Sequence, residues 1–174
     1  MRPFPKLCVA RFVDFGASST KIYVIERGVV RASHVVNQGS QDVTLSISKS
    51  LGIPVQEAEL MKQDPTIIPP EKKRDVDQMM ALTLDYILAE ANRVILNYQK
   101  HFNKDISRVV LVGGGSLMPN MIKMAGNHFQ TEIVLGNPFE KTEAPAFLQE
   151  VLKKTGPEFA VAVGIGLRKL QEIE

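Results

Sequence analysis

The 174 residues carry 44% hydrophobic and 23% charged side chains and a formal net charge of +2. That balance is ordinary for a globular domain large enough for one hydrophobic core with a small appended lobe. The charge is too small, and the basic residues too scattered, for a nucleic-acid surface. The single cysteine, Cys8, excludes an internal disulfide and fits a reducing compartment; in its apolar run it reads as a small buried hydrophobe. No apolar stretch reaches the roughly 20 residues of a membrane helix, and Pro3 and Pro5 interrupt any signal-peptide pattern. The expected location is the cytoplasm, with no direct membrane insertion.

In chain order, Leu7 to Phe15 is a Val-rich buried strand, and Gly16 with Ala17, Ser18 and Ser19 forms a turn. Thr20 to Ile25 and Val29 to Val36 are two more strands, separated by the tight-turn pair Arg27-Gly28, so the first 36 residues predict an antiparallel meander. Val43, Leu45, Ile47 and Leu51 fit a short helix, against which Thr44, Ser46 and Ser48 count. Pro54 to Lys62 reads as a second helix, and Gln63 to Lys73, with three prolines, as an exposed loop.

From Asp75 to Phe102 a helical stripe runs through Met80, Leu84, Ile87, Leu88, Ala91, Ile95, Tyr98 and Phe102. Then strand and helix alternate. Arg108 to Val112 is a strand, Gly113 to Gly115 a loop, Pro119 to Phe129 a helix and Thr131 to Leu135 a strand. Phe159 to Leu170 is a closing helix in which Gly164 and Gly166 would allow close packing. A meander followed by strands and helices fits a mixed sheet covered by helices.

Two glycine-rich segments and one charged pair carry candidate chemistry. In Asp14-Phe15-Gly16-Ala17-Ser18-Ser19-Thr20 an acid ends a strand and a small-residue turn follows. Such a turn lets backbone amides and hydroxyls approach an anion, and Asp14 can hold a hydrated magnesium ion beside it. A plain polar hairpin remains the alternative. In Val112-Gly113-Gly114-Gly115-Ser116 a strand runs into three glycines, so a flat ring or a phosphate can lie on bare backbone. The third glycine of a dinucleotide fingerprint is missing. Glu59 and Lys62, three apart on a helix, share a face. They can serve a ribose hydroxyl and a base, or form a solvated surface pair.

Asp14-Phe15-Gly16 also occurs in protein kinases, but no His-Arg-Asp loop accompanies it, and no P-loop motif is present. His34, His101 and His128 lie in different predicted elements and suggest no metal site. No catalytic residue is assigned.

In this order the segments resemble the second half of the actin, sugar-kinase and DnaK-type chaperone superfamily. Asp14 to Thr20 is similar to its second phosphate motif, Val109 to Ser116 to its adenosine motif, and Glu59 with Lys62 to the chaperones' Glu-x-x-Lys pair. More narrowly, Val13 to Thr20, Leu51 to Glu59, Gly113 to Pro119, Gly136-Asn137-Pro138-Phe139 and Phe159 to Arg168 resemble the PilM family of type IV pilus assembly proteins.

The resemblance implies an α/β, RNase H-like (actin-like ATPase) domain: a mixed five-stranded sheet, three strands antiparallel and the rest parallel, flanked by helices. Residues 1–50 and 104–174 would form subdomain IIA, and 51–103 an inserted lobe (IIB) with the long returning helix. It implies ATP and Mg as cofactors. The phosphates would lie on Gly16, Ala17, Ser18, Ser19 and Thr20, and adenosine on Gly113, Gly114, Gly115, Ser116, Met118, Glu59 and Lys62. Asp14 would hold Mg through water.

The expected role is a nucleotide-binding half of a cytoplasmic scaffold for pilus biogenesis, peripheral at the inner membrane through partners. The family's first phosphate hairpin has no counterpart before Asp14, so the chain reads as the second domain of a longer parent. That parent is a candidate ATPase, and this chain alone is expected to bind ATP weakly and not to hydrolyse it. The family partner, the PilN tail, docks on the first domain and is not expected to bind here. An FtsA-like division protein, whose family usually ends in an amphipathic membrane helix, is the cytoskeletal alternative. A sugar- or acetate-kinase-type enzyme is a third, for which Asp14 is the only cleft acid in sight.

Overall fold

In the computed structural model, which describes residues 9–103 and 108–173, the first three strands are set by turn chemistry. β1 (Val9–Phe15), β2 (Thr20–Glu26) and β3 (Val29–Val36) form the antiparallel meander. Arg27 (φ 52°) and Gly28 (φ 80°) both take positive φ at the β2–β3 turn, the geometry whose twist matches the flanking strands. Cys8 lies outside the described residues.

α1 (Ser40–Leu51) forms despite its hydroxyl-rich sequence because Val43 and Ile47 commit one face to the core, while the Thr44 and Ser46 hydroxyls turn back onto the helix rather than compete with it. Thr44 Oγ1 reaches Ser40 O at 3.2 Å and Ser46 Oγ reaches Asp42 O at 2.8 Å. The helix is opened by Asp42, whose carboxylate accepts the Gly39 N–H at 2.7 Å, and closed by Gly52 in the left-handed region (φ 63°).

α2 (Val55–Gln63) follows, then a 3-10 turn at Pro65–Ile67 and α3 (Pro70–Phe102). The exposed loop expected over Gln63 to Lys73 is therefore corrected. Gln63 ends α2, Ile68 is buried in the core, and Pro70 opens α3, where a missing N–H costs nothing.

α3 leads back to β4 (Arg108–Val112), which enters the sheet parallel to β1. A 3-10 turn (Gly114–Leu117), α4 (Met121–His128) and β5 (Glu132–Leu135) follow, giving the strand order β3-β2-β1-β4-β5. After β5 come α5 (Gln149–Thr155), not anticipated from sequence, a 3-10 turn at Gly156–Phe159, and α6 (Ala160–Ile173).

One hydrophobic core joins the sheet to α1 and α3. Val13, Phe15, Ile22 and Leu111 pack with Val43, Ile47, Leu84 and Leu88, each at most 1% exposed. Ala58, Met61 and Ile68 belong to the same cluster, so α2 is held by continuous packing. The α3 stripe is buried as expected except at its end, where Phe102 is exposed and rests on Tyr98 with ring centroids 4.6 Å apart. α6 departs from expectation more fully. None of its residues is buried, and a Cβ on Gly164 or Gly166 would meet nothing within 4 Å.

Among the described residues no helix is long and apolar enough to cross a membrane, and no group of three or more metal-type side chains gathers.

Candidate functional site

Parallel pairing of β1 with β4 puts Asp14 opposite Val112, so the two strands end side by side. The hairpin after β1 and the glycine turn after β4 therefore meet, although about a hundred positions separate them in sequence. The contact is close. A Cβ on Gly113 would fall 2.6 Å from Asp14 Oδ1 and from Phe15 O, and Gly113 itself has φ 83°. A Cβ on Gly115 would run into the Phe15 ring. Gly114 is different. Its added Cβ would meet only Glu158 Cγ, at 3.7 Å, so its bare face is turned to open space.

The polar groups of both turns divide into those consumed by the fold and those left free. Thr20 is fully buried and its hydroxyl donates to Gln38 O at 2.9 Å. Ser116 is 2% exposed and its hydroxyl donates to Gly113 O at 2.7 Å. The Gly16 N–H closes the hairpin onto Ser19 O at 3.1 Å. Ala17 and Ser18 form the exposed tip. The start of α1 braces this tip. Ser40 N–H donates to Gly16 O (3.0 Å) and Gln41 N–H to Ala17 O (2.9 Å), and a Cβ on Gly39 would clash with both carbonyls.

Beyond the tip lies a cleft in two joined compartments. The first, about 540 Å³, has Ala17, Gln41 and Thr44 on its walls. The second, about 380 Å³, has Gly114, Gly115, Met118 and Glu158. Ser40, Glu59 and Lys62 line both.

Glu59 and Lys62 are not a solvated pair. Lys62 is 4% exposed, and its ammonium donates to Glu59 Oε2 (2.7 Å), Thr44 Oγ1 (3.0 Å) and Ser40 O (3.2 Å), which uses all three of its protons. Thr44 also donates to Glu59 Oε2, and Gln63 Nε2 donates to Oε1 at 2.7 Å. Burial works against ionisation of Glu59, yet the hydrogen bonds from Lys62, Thr44 and Gln63 and the charge of Lys62 hold its carboxyl below the usual range. Of roughly four acceptor positions on a carboxylate, about one stays open, on Oε1.

Ser40, Thr44 and Glu158 line the cleft and Gly39 abuts its hairpin wall, and the sequence reading gave none of them a place there. A Gly-Ser-x-Asp start to a helix was legible at Gly39 to Asp42. Nothing local marks Glu158.

A mixed sheet with a meander edge, helices packed on it, and two glycine turns facing one cleft define the actin-like ATPase fold. A chain of a PilM–PilN type IV pilus biogenesis complex superposes with a TM-score of 0.80 at 23% identity, covering 94% of this chain and 46% of that one. MreB5 of Spiroplasma citri bound to ADP gives a TM-score of 0.63 at 15% identity, covering 96% and 55%.

The family model described as "Cell division protein FtsA" matches residues 12–164, and the chain belongs to that family. Cell division protein FtsA of Neisseria meningitidis serogroup B (strain ATCC BAA-335 / MC58) is 24% identical over 88% of this chain. The chain spans 41% of that relative's length. The likeness to PilM is thus one of fold, and the family that matches is the FtsA alternative read from the sequence.

Proposed function

We propose that this chain supplies one wall of an adenine-nucleotide site in an actin-like scaffold. The observation that carries the reading is the β1–β4 pairing, which sets the Asp14–Thr20 hairpin beside the Gly113–Ser116 turn, so that Ala17 of the one and Gly114 and Gly115 of the other line compartments that share Glu59. On this reading the phosphates of ATP lie at Ala17 and Ser18, adenosine lies against Gly113 to Gly115, and a ribose hydroxyl donates to the open position on Glu59. Thr20, Ser116 and Lys62 serve by shaping these surfaces, since their polar atoms are already engaged. Asp14 suits a hydrated Mg²⁺, which needs few carboxylates and keeps its waters. The chain divides into residues 1–50 and 104–174, which carry both turns, and an inserted lobe with its returning helix, 51–103, which carries Glu59.

A further domain of a longer protein would close the other wall and cover the apolar face of α6. With about half the contacts, a micromolar site of about −8 kcal/mol falls to about −4, a millimolar one. Titrating Mg-ATP should shift the amide resonances of Ala17 and of Gly113 to Gly115 with a millimolar midpoint. Shifts confined elsewhere, or none at 20-fold excess over that range, would overturn the reading. Hydrolysis by this chain alone should be undetectable.

Two cytoplasmic machines are in view: a pilus scaffold that reaches the membrane through partners, and a division protein whose family usually reaches it through an amphipathic helix. The pilus scaffold is supported by the fold likeness to the PilM–PilN complex, and a division role by the family model. Sedimentation of the longer protein with and without ATP separates them: filaments favour the division protein, and a soluble complex with a PilN tail peptide favours the scaffold.

A further inference from the structure

The order of residues along the cleft gives a bound nucleotide a direction, and this argument rests on the nucleotide reading above. Ala17 and Gln41 line only the first compartment, and Gly114, Met118 and Glu158 only the second. Glu59 stands where they join. Phosphates at the hairpin and ribose on Glu59 therefore place the base in the second compartment.

That compartment holds two carboxylates, Glu59 and Glu158, and its one cation, Lys62, has no proton to spare. A phosphate would be repelled there, whereas a hydrogen-bond donor would be welcomed. Glu158 has an exposed side chain on a backbone that is held in place. It sits on the 3-10 turn Gly156–Phe159, whose Pro157 carbonyl accepts the Gly113 N–H at 2.8 Å, with Gly156 and Pro157 both buried. Its Cγ lies beside the open face of Gly114. No hydrogen bond or ion pair joins it to another described residue. An exposed carboxylate on an anchored turn, acceptor-only and with no partner among the described residues, suits an amine.

We propose that the Glu158 carboxylate reads the base by accepting a hydrogen bond from the exocyclic 6-amino group of adenine. The test uses the whole 174-residue chain and two magnesium nucleotides: ATP and purine riboside triphosphate, in which hydrogen replaces the amine. The readout is the Gly113–Gly115 amide shifts. The native chain should bind ATP about tenfold more tightly, the scale of one hydrogen bond to a charged group. Glu158→Ala should weaken ATP about tenfold and leave purine riboside triphosphate unchanged, removing the preference.

Equal binding of the two nucleotides by the native chain would overturn the assignment. So would a Glu158→Ala loss shared by both. Either result leaves the cleft as a nucleotide site. If neither nucleotide shifts the glycines, the nucleotide reading fails first and this inference with it.

Discussion

α3 and α6 are both helices with a strong apolar content, and the fold treats them in opposite ways. The 33 residues of α3 bury eight side chains, from Val76 to Tyr98, along a single stripe. The 14 residues of α6 bury none, and Val161, Ile165, Leu170 and Ile173 are each more than half exposed. The difference lies in the pattern. α3 alternates its stripe with charged residues, so one face is committed to the core. α6 is apolar nearly all round from Ala160 to Leu167, and only Ala160, Val163 and Leu167 are even partly covered by the rest of the described fold. Apolar content says that a helix wants cover; only the rest of the fold says whether cover exists.

Substitutions can break or sharpen this contrast. Leu88→Ala in α3 removes a fully buried side chain and should cost about 3 kcal/mol in urea unfolding. A cost below about 1 kcal/mol would mean that the α3 core is looser than its burial implies.

Gly115→Ala should cost about 2 kcal/mol, because the new methyl meets the Phe15 ring, while Gly114→Ala should stay within about 0.5 kcal/mol. Equal melting temperatures for the two variants would contradict the close approach of β1 to the glycine turn.

The Glu59 carboxyl is held below its ordinary value in the folded state, so its contribution is complete above the unfolded-state pKa and disappears as pH falls through the folded one. With the side chain 38% exposed, solvent screening keeps this to about 0.5 kcal/mol. Urea midpoints of the native chain and Glu59→Gln should differ near pH 7 and converge toward pH 3. A constant gap would assign the loss to packing.

Ile165→Ser on α6 should change stability by less than about 0.5 kcal/mol, with α6 amides exchanging faster than those of α3. A larger cost would show that α6 finds cover in solution, and sedimentation velocity would reveal whether a second copy provides it.

Much of this architecture was legible before any coordinates. Arg27-Gly28 announced its turn because two positive φ angles need such residues, and the α3 stripe announced its buried face because 3.6-residue spacing survives any context. The two glycine segments were recognisable as turns, and their meeting follows once a parallel β1–β4 pair is granted. What stayed hidden depended on partners distant in sequence. Thr44 and Ser46 counted against a helix until their hydroxyls were seen to bond back to it. Lys62 read as a surface cation because its three acceptors come from α1 and its own helix. Glu158 carries no local signature at all, since its turn is brought to the cleft by residues distant in sequence, through the Gly113–Pro157 hydrogen bond and packing on Asn137 and Pro138. Gly164 and Gly166 suggested tight packing, yet a glycine permits an approach without supplying the neighbour.

The adjacency of Asp14 and Gly113 also sets a timetable for folding. A hairpin such as β1–β2 closes from nearby residues, but this pair closes a loop of about a hundred, a larger entropic cost that the packing of the intervening α1 and α3 helps to meet. During synthesis the cleft would thus be among the later features to mature, and its closure would report that its two walls have met.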